Sequence, residues 1–199
     1  MAGQRRFPPE EVEKLEDERR RRLQPAGPLV ELVAGLGPAR VLDIGAGVGY
    51  FALPLLQRLA GLRLVALDVE QHMLDGLAER AAAQGIAVGR IEPLRAAADH
   101  GPYPLAAASV DAALAVNLLH ELDDRPALLG EVRRVLAPGG HLIACDWDPR
   151  GRDDFGPPEH HRLDPASVRA ELQAAGFGDI SGHDLYADLY TLQARSPAP

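Results

Sequence analysis

Residues 41–51 have the sequence VLDIGAGVGYF, and this stretch decides the fold class. A short apolar run is followed by three glycines at alternate positions, and an amphipathic segment begins near Phe51. The pattern predicts a strand, a tight turn and a helix, because glycine tolerates positive φ and lets a ligand approach the backbone. The start of such a helix presents unpaired N–H groups. We therefore expect a nucleotide-like ligand at this turn, with a ligand-free strand-to-helix turn as the alternative.

The glycine spacing separates two classes of ligand. In the dinucleotide fingerprint G-x-G-x-x-G the third glycine comes one residue later than Gly49, where this chain has Tyr50. Asp43 precedes Gly45 by two residues, and its carboxylate would repel a pyrophosphate but attract an ammonium group. S-adenosylmethionine carries an ammonium group, a neutral ribose and a sulfonium. The motif D-x-G-x-G-x-G resembles the first motif of the class I S-adenosylmethionine-dependent methyltransferases.

A second acid follows at the spacing that a ribose contact requires. Residues 62–68, LRLVALD, predict a second strand with Asp68 at its carboxyl end, about 20 residues after the glycine turn. The resemblance implies that Asp68 binds the ribose and that the residues after it flank the adenine. The alternative is a surface acid that ends a strand.

The resemblance also implies an acid near the adenine amino group, and counting back from Asp111 selects Asp99. Residues 92–108 form a longer segment with three prolines, so a loop acid stays open as the alternative for Asp99. Altogether the resemblance implies these cofactor-binding residues: Asp43, Gly45, Ala46, Gly47, Gly49, Asp68, Val69, Met73, Asp99 and Asn117.

Strand-like and helix-like segments alternate along the rest of the chain, which favours a parallel sheet covered by helices on both faces. Further strands are predicted over 86–91, 110–116 and 141–147, and helices over 124–136 and 165–175. Two final strands, 180–183 and 187–195, have no helix between them, so we expect a hairpin with one antiparallel strand.

Residues 109–114, 117–122 and 131–140 resemble the middle and late motifs of the branch that includes ubiquinone and menaquinone methyltransferases. The resemblance implies an α/β fold, a doubly wound, seven-stranded and mostly parallel sheet of the Rossmann-like methyltransferase type. Residues 37–199 would form this domain, and residues 1–36 a helical extension with a first helix over 10–23. Helices at that position are expected to close over the ligand, and acids interleaved with Arg19–Arg22 favour a solvated helix over a nucleic-acid patch.

Composition limits the function classes. The 199 residues are 46% hydrophobic and fit one domain, and a net charge of −8 argues against non-specific nucleic-acid binding. Cys145 is the single cysteine, which excludes an intramolecular disulfide and suggests a reducing compartment. No apolar run long enough for a membrane span and no secretory signal are evident, so a cytoplasmic location is expected.

Two histidines are candidate catalytic residues. Methyl transfer mainly requires alignment of the nucleophile and exclusion of water, but an OH or NH acceptor can need a base. His120 follows the fourth strand and is the candidate base; the alternative is a helix-entry residue bonded to backbone. His161 lies beside Arg162 in the loop of residues 155–163, where the pair could bind an anionic acceptor, supply a base, or only pin the loop. No strong metal-ligand spacing is present, so no metal is expected.

The sequence therefore predicts an S-adenosylmethionine-dependent methyltransferase that acts on a small-molecule acceptor and releases S-adenosylhomocysteine. One alternative is a non-catalytic protein that binds the same ligand. The other is a nicotinamide-dependent oxidoreductase, which Asp43 and the position of Gly49 disfavour.

Overall fold

The computed structural model describes residues 17–197, which form six α-helices and seven strands, with three 3₁₀ turns in the connecting segments. The helices are α1 (Glu18–Leu23), α2 (Ala26–Gly35), α3 (Ala52–Arg58), α4 (Gln71–Ala83), α5 (Arg125–Val135) and α6 (Pro165–Ala174). The strands are β1 (Arg40–Ile44), β2 (Arg63–Asp68), β3 (Ile91–Arg95), β4 (Val110–Val116), β5 (Leu136–Trp147), β6 (Gly178–Gly182) and β7 (Leu189–Arg195). Within this part of the chain, no helix has both the length and the apolar character to cross a membrane.

The seven strands form one sheet in the order β3-β2-β1-β4-β5-β7-β6. Strands β1 to β5 pair in parallel, and β7 pairs antiparallel with both β5 and β6. This confirms the predicted α/β fold, the seven strands and the terminal hairpin. The chain builds outward from β1 to β3 and then returns to place β4 on the other side of β1, so the strand order reverses between β1 and β4.

The central strands are buried on both faces. Along β1, Val41 packs into the hydrophobic cluster on one face, whereas Leu42 and Ile44 pack into the cluster on the other. This two-sided burial explains the continuous apolar runs, because a parallel sheet covered by helices has no solvent face. Because these strands pair in parallel, the carboxyl ends of β1, β2, β4 and β5 lie at one edge of the sheet.

Each of the two helices in the second half of the chain begins directly after an aspartate that caps it. Asp124 accepts the N–H of Ala127 at the start of α5, and Asp164 accepts the N–H of Ala166 at the start of α6. Each carboxylate satisfies one of the unpaired donors of the first turn. Pro165 occupies the first helical position of α6, as the sequence indicated.

The predicted third strand over 86–91 is wrong, because β3 begins at Ile91. The N–H of Ile86 instead donates to the Ala81 carbonyl at the end of α4, and residues Val88–Arg90 form a 3₁₀ turn. The Arg90 guanidinium holds this turn by donating to backbone carbonyls of Leu56, Leu59 and Leu62. Pro93 lies in β3, which is an edge strand and tolerates a missing donor.

The fifth strand starts at Leu136, five residues before the predicted start, and the segment around Gly139 (φ 79°) belongs to the strand with a shift of register. The first helix is described only from Glu18 to Leu23. The earlier part of the predicted helix 10–23 lies outside the described residues, as do residues 1–16 of the predicted extension.

Candidate functional site

The carboxyl ends of β1, β2, β4 and β5 open into a cleft of about 740 Å³. This cleft lies where the strand order reverses between β1 and β4, the position at which open α/β sheets bind ligands. Residues of α1 and of the segment Asp154–Pro158 line its outer side.

The glycine turn has the conformation that its sequence predicts. Gly45, Gly47 and Gly49 all have positive φ, at 72°, 52° and 89°. A Cβ at Gly49 would lie 2.9 Å from Cγ of Leu53, so the third glycine is required for packing of α3. The N–H groups of Gly45 and Ala46 donate to the Leu67 carbonyl at 2.8 and 3.0 Å. The turn is therefore tied to β2 and presents its remaining backbone to the cleft.

Asp68 joins the glycine turn to the start of α4. Its carboxylate accepts the N–H of Gly47 at 2.8 Å and the N–H of Glu70 at 3.0 Å. Burial raises the pKa of Asp68, and the two backbone donors oppose that shift. The acid is thus held at the cleft wall in a fixed orientation, with room for further donors on its oxygens.

Asp43 lies beside Asp68 at the end of β1 and is only 4% exposed. Burial, and then the nearby negative charge of Asp68, raise the pKa of Asp43 to about 7. Among residues 17–197, no group donates a hydrogen bond to its carboxylate, which lines the cleft. A cationic ligand would stabilise the ionised carboxylate and lower the pKa of Asp43, whereas a pyrophosphate would raise this pKa further. The residues therefore fit a ligand with an ammonium group and ribose hydroxyls, as in S-adenosylmethionine.

Asn117, at the end of β4, is held by the residue that ends α1. Its amide donates to Oε1 of Gln24 at 2.8 Å and accepts from Nε2 of Gln24 at 3.4 Å. Gln24 is 1% exposed, and its backbone carbonyl accepts the hydroxyl of Tyr50 at 2.9 Å. The polar end of α1 is thereby inserted next to the glycine turn. Sequence reasoning missed Gln24, because its partners are far away in the chain.

His120 and Asp146 form a buried pair on the other side of the cleft. Nδ1 of His120 lies 2.6 Å from Oδ1 of Asp146, and the backbone N–H of His120 donates to Oδ2 at 3.2 Å. Asp146 also accepts the N–H of Trp147 and is fully buried. Nε2 of His120 is 3.8 Å from Oε1 of Glu121, and both residues line the cleft. The pairing of β4 with β5 brings this histidine and this carboxylate together.

Next to the pair of His120 and Asp146, the side chains of Trp147 and Phe155 form an apolar wall of the cleft. Trp147 packs against Phe155, with ring centroids 6.4 Å apart, and any Cβ at Gly156 would collide with the indole ring. Arg19 of α1 forms ion pairs with Asp153 and Asp154 and lies 5.8 Å from the centre of the Phe155 ring. These contacts join α1 to the loop across the cleft.

Arg162 holds the backbone between Gly151 and Pro157 in place from outside the cleft. Its guanidinium donates to the carbonyls of Gly151, Asp153 and Pro157 at 3.0, 2.6 and 3.0 Å. It also lies 5.4 Å from the centre of the Trp147 ring. The geometry therefore gives Arg162 a role in the shape of the loop.

Most of the sequence-predicted site residues meet at the cleft. Those that line it are Asp43, Gly45, Ala46, Gly47, Asp68, Val69, Met73, Asn117 and His120. Gly49 lies beneath the turn; Asp99 pairs with His100 at 2.8 Å, outside the lining. His161 is also outside the lining, and its ring packs against that of His160 at 4.3 Å. Within residues 17–197, no group of three or more His, Cys, Asp or Glu could hold a metal ion.

Comparison with known proteins gives a consistent result. The family described as "Methyltransferase domain" matches residues 42–144, more than half of the chain. The demethylmenaquinone methyltransferase of Thermus thermophilus is 33% identical over 127 residues, which are 64% of this chain and 56% of that protein. The chain thus spans about half the length of this relative.

Two further proteins match this chain over a larger share of its length and of their own length. The uncharacterized methyltransferase YdaC of Bacillus subtilis is 30% identical over 142 residues, 70% of this chain and 72% of YdaC. The crystal structure of a SAM dependent methyltransferase from Aquifex aeolicus superposes with a TM-score of 0.81 at 26% identity, covering 96% of this chain and 99% of that one. The glycine turn, the sheet order and these matches agree: the chain belongs to the family of methyltransferase domains.

Proposed function

We propose that this chain transfers the methyl group of S-adenosylmethionine to a small-molecule acceptor and releases S-adenosylhomocysteine. The observation that carries the proposal is the position of Asp43 and Asp68, two buried carboxylates on neighbouring strands beside the glycine turn. A ligand with an ammonium group and free ribose hydroxyls complements both acids, and a pyrophosphate complements neither.

In this proposal, different residues of the cleft bind different parts of the ligand. Asp68 accepts the ribose hydroxyls, and Asp43 attracts the ammonium group together with the backbone of Gly45, Ala46 and Gly47. Val69 and Met73 flank the adenine. Asn117 borders the reacting end, where the pair with Gln24 fixes its amide. Asp99 is left out, because it lies outside the cleft lining.

The chemistry that these residues must supply is mostly alignment. The methyl carbon is already activated by the positive sulfur, so the protein has to hold the acceptor in line and exclude water. Helix α1 and the segment Asp154–Pro158, which line the outer side of the cleft, would exclude water from it. His120, which lines the cleft, is the candidate base.

The relatives support a small-molecule acceptor. The Thermus protein is named for demethylmenaquinone, and the acidic charge balance of this chain opposes binding to nucleic acid. We also propose a cytoplasmic location, since the single cysteine, Cys145, is buried and suits a reducing compartment.

A transfer assay tests this function against its two alternatives. The purified chain is incubated with S-adenosylmethionine labelled in the methyl group and with a small-molecule extract of cells, and labelled product is counted. Label in product is expected. Binding of the ligand without transfer to any extract would favour the non-catalytic binding protein, and binding of NAD alone would favour the oxidoreductase.

A further inference from the structure

We infer that Gln24 is a positioning residue of the proposed transfer site, because its buried side-chain amide fixes the orientation in which the Asn117 amide meets the ligand. This inference rests on the proposed function and deepens it. The same contact joins the end of α1 to the end of β4, so docking of α1 and binding of the ligand should stabilise each other.

The side-chain amides of Gln24 and Asn117 form a reciprocal pair. Nδ2 of Asn117 donates to Oε1 of Gln24 at 2.8 Å, and Nε2 of Gln24 donates to Oδ1 of Asn117 at 3.4 Å. Turning either amide over would bring donor against donor and acceptor against acceptor. Gln24 is buried, and a buried polar group without a partner is costly. Each amide therefore has one favourable orientation, which the other amide sets.

Gln24 is itself held by groups on other parts of the fold. Its Nε2 lies 3.5 Å from Sγ of Cys145 on β5, and its backbone carbonyl accepts the hydroxyl of Tyr50, next to the glycine turn, at 2.9 Å. The carbonyl of the following residue accepts the hydroxyl of Tyr186 at 3.1 Å. These contacts hold Gln24 independently of Asn117, so Gln24 orients Asn117 and does not merely follow it.

Asn117 can contact a ligand with the part of its amide that Gln24 does not use. It follows β4 directly and lines the cleft, and its φ of 53° lies in the left-handed region, which asparagine enters more readily than most residues. Its backbone N–H donates to the carbonyl of Cys145 at 2.8 Å. Nδ2 carries a second hydrogen and Oδ1 a second lone pair. Because Gln24 fixes the plane of the amide, these groups have fixed directions at the cleft.

Helix α1 depends on contacts at its ends. It has six residues, none of which is fully buried, and a helix of that length is not stable alone in water. Gln24 follows its last residue and supplies a buried contact with the cleft wall. A ligand that binds the Asn117 amide therefore strengthens the place where α1 is attached. Docked α1 favours the ligand by the same factor, because coupling between two sites is reciprocal.

Calorimetric titration with S-adenosylmethionine tests the role of Gln24 in a double-mutant cycle of Gln24→Met, Asn117→Ala and the double variant. Methionine keeps the length of the side chain and removes its hydrogen bonds. We expect Gln24→Met to raise the Kd about threefold to tenfold, which corresponds to about one hydrogen bond. In the Asn117→Ala background, the same change should alter the Kd by less than about twofold, because no Asn117 amide is left to orient.

Gln57→Met is the matched control. Gln57 also donates an amide–amide hydrogen bond, from its Nε2 to Oε1 of Gln84 at 2.8 Å, but it is exposed on α3 and outside the cleft lining. Gln57→Met should therefore leave the Kd for S-adenosylmethionine unchanged.

Hydrogen exchange of the unmodified chain is a second measurement, which does not depend on the folding of a variant. Saturating S-adenosylmethionine should slow amide exchange over residues 19–24 by about threefold or more, since the coupling acts equally in both directions. Gln24→Met should abolish this slowing.

Equal weakening of binding by Gln24→Met in both backgrounds would overturn the positioning role, and so would wild-type affinity in Asn117→Ala. Exchange over residues 19–24 that is the same with and without S-adenosylmethionine would overturn the coupling to α1. No binding of S-adenosylmethionine by the unmodified chain would instead defeat the proposed function itself.

Discussion

The carboxylate of Asp68 accepts the backbone N–H of Gly47 at 2.8 Å, so the acid that ends β2 directly supports the glycine turn that follows β1. Its other oxygen accepts the N–H of Glu70 at the start of α4. One side chain therefore fixes both backbone segments at the cleft wall, and in our proposal it also accepts the ribose.

Replacing this acid should weaken ligand binding. Asp68→Ala removes at least one hydrogen bond to a charged acceptor, worth about 1.5–3 kcal/mol, so we expect the Kd for S-adenosylmethionine to rise about 10- to 100-fold or more. Isothermal titration calorimetry measures this directly. Asp75→Ala, an exposed acid on α4, is the control and should bind normally. Unchanged affinity in Asp68→Ala would remove Asp68 from the binding site.

The stability of the ligand-free protein should fall as the pH rises, because of Asp43. Its pKa is raised to about 7 in the folded state, so between about pH 4 and pH 7 the folded protein binds more protons at this site than the unfolded chain does. Stability from this group is therefore present at low pH and lost as the pH rises through 7. The raised pKa of Asp68 acts in the same direction.

Asp43→Asn removes this penalty, which amounts to about 4 kcal/mol at alkaline pH. We expect the variant to have a higher Tm than the wild type at pH 8, a smaller gain at pH 5 and a similar Tm near pH 4, with Asp75→Asn as the control that shifts none of these. Thermal melts across this range measure the difference. A variant less stable than the wild type at pH 8 would contradict a buried, destabilising charge at Asp43.

Gly49 should tolerate no side chain. Its φ is 89°, and an added Cβ would lie 2.9 Å from Leu53 and 3.0 Å from Leu77. We expect Gly49→Ala to cost about 2 kcal/mol or more, which lowers Tm by about 4–8 °C for a chain of this size. Gly130→Ala is the opposite control, since Gly130 is an exposed residue inside α5 with nothing within 4 Å, and alanine favours the helix. A melt of Gly49→Ala equal to that of the wild type would contradict the packing described.

Arg162 and His161 are neighbours with different expected effects. Arg162→Ala removes the donors that hold the carbonyls of Gly151, Asp153 and Pro157, so we expect faster hydrogen exchange over residues 148–158 and a loss of about 1–3 kcal/mol. His161→Ala should change stability by less than about 0.5 kcal/mol, because this residue is exposed and outside the cleft lining. Loss of methyl transfer in a folded His161→Ala protein would instead place His161 in the catalytic machinery.

The parts of the site that could be predicted from the sequence are those that local backbone geometry requires. The turn of residues 45–49 needs positive φ at alternate positions, and glycine is the residue that supplies it. Asp68 was found by its distance from that turn. The strand β4, Val110–Val116, was predicted with its observed bounds because a central parallel strand needs an unbroken apolar run.

The remaining contacts depend on tertiary structure. Gln24 meets Asn117 across 93 residues, and nothing in the local sequence of either marks the pair. His120 was a candidate base, but its partner Asp146 is set by the register of β4 with β5, which pairs Val116 with Cys145. The third strand was misplaced because Ile86 and Val88 have a strand-like composition, whereas Arg90 anchors them in a turn.

Calorimetric titration of the purified chain with S-adenosylmethionine, S-adenosylhomocysteine and NAD, repeated with Asp43→Lys, tests whether the cleft binds a ligand with an ammonium group. We expect binding of the first two ligands, no binding of NAD, and loss of binding in the variant, because a lysine would place a positive charge beside the ammonium group. Binding of NAD alone, or undiminished binding of S-adenosylmethionine by Asp43→Lys, would contradict this expectation.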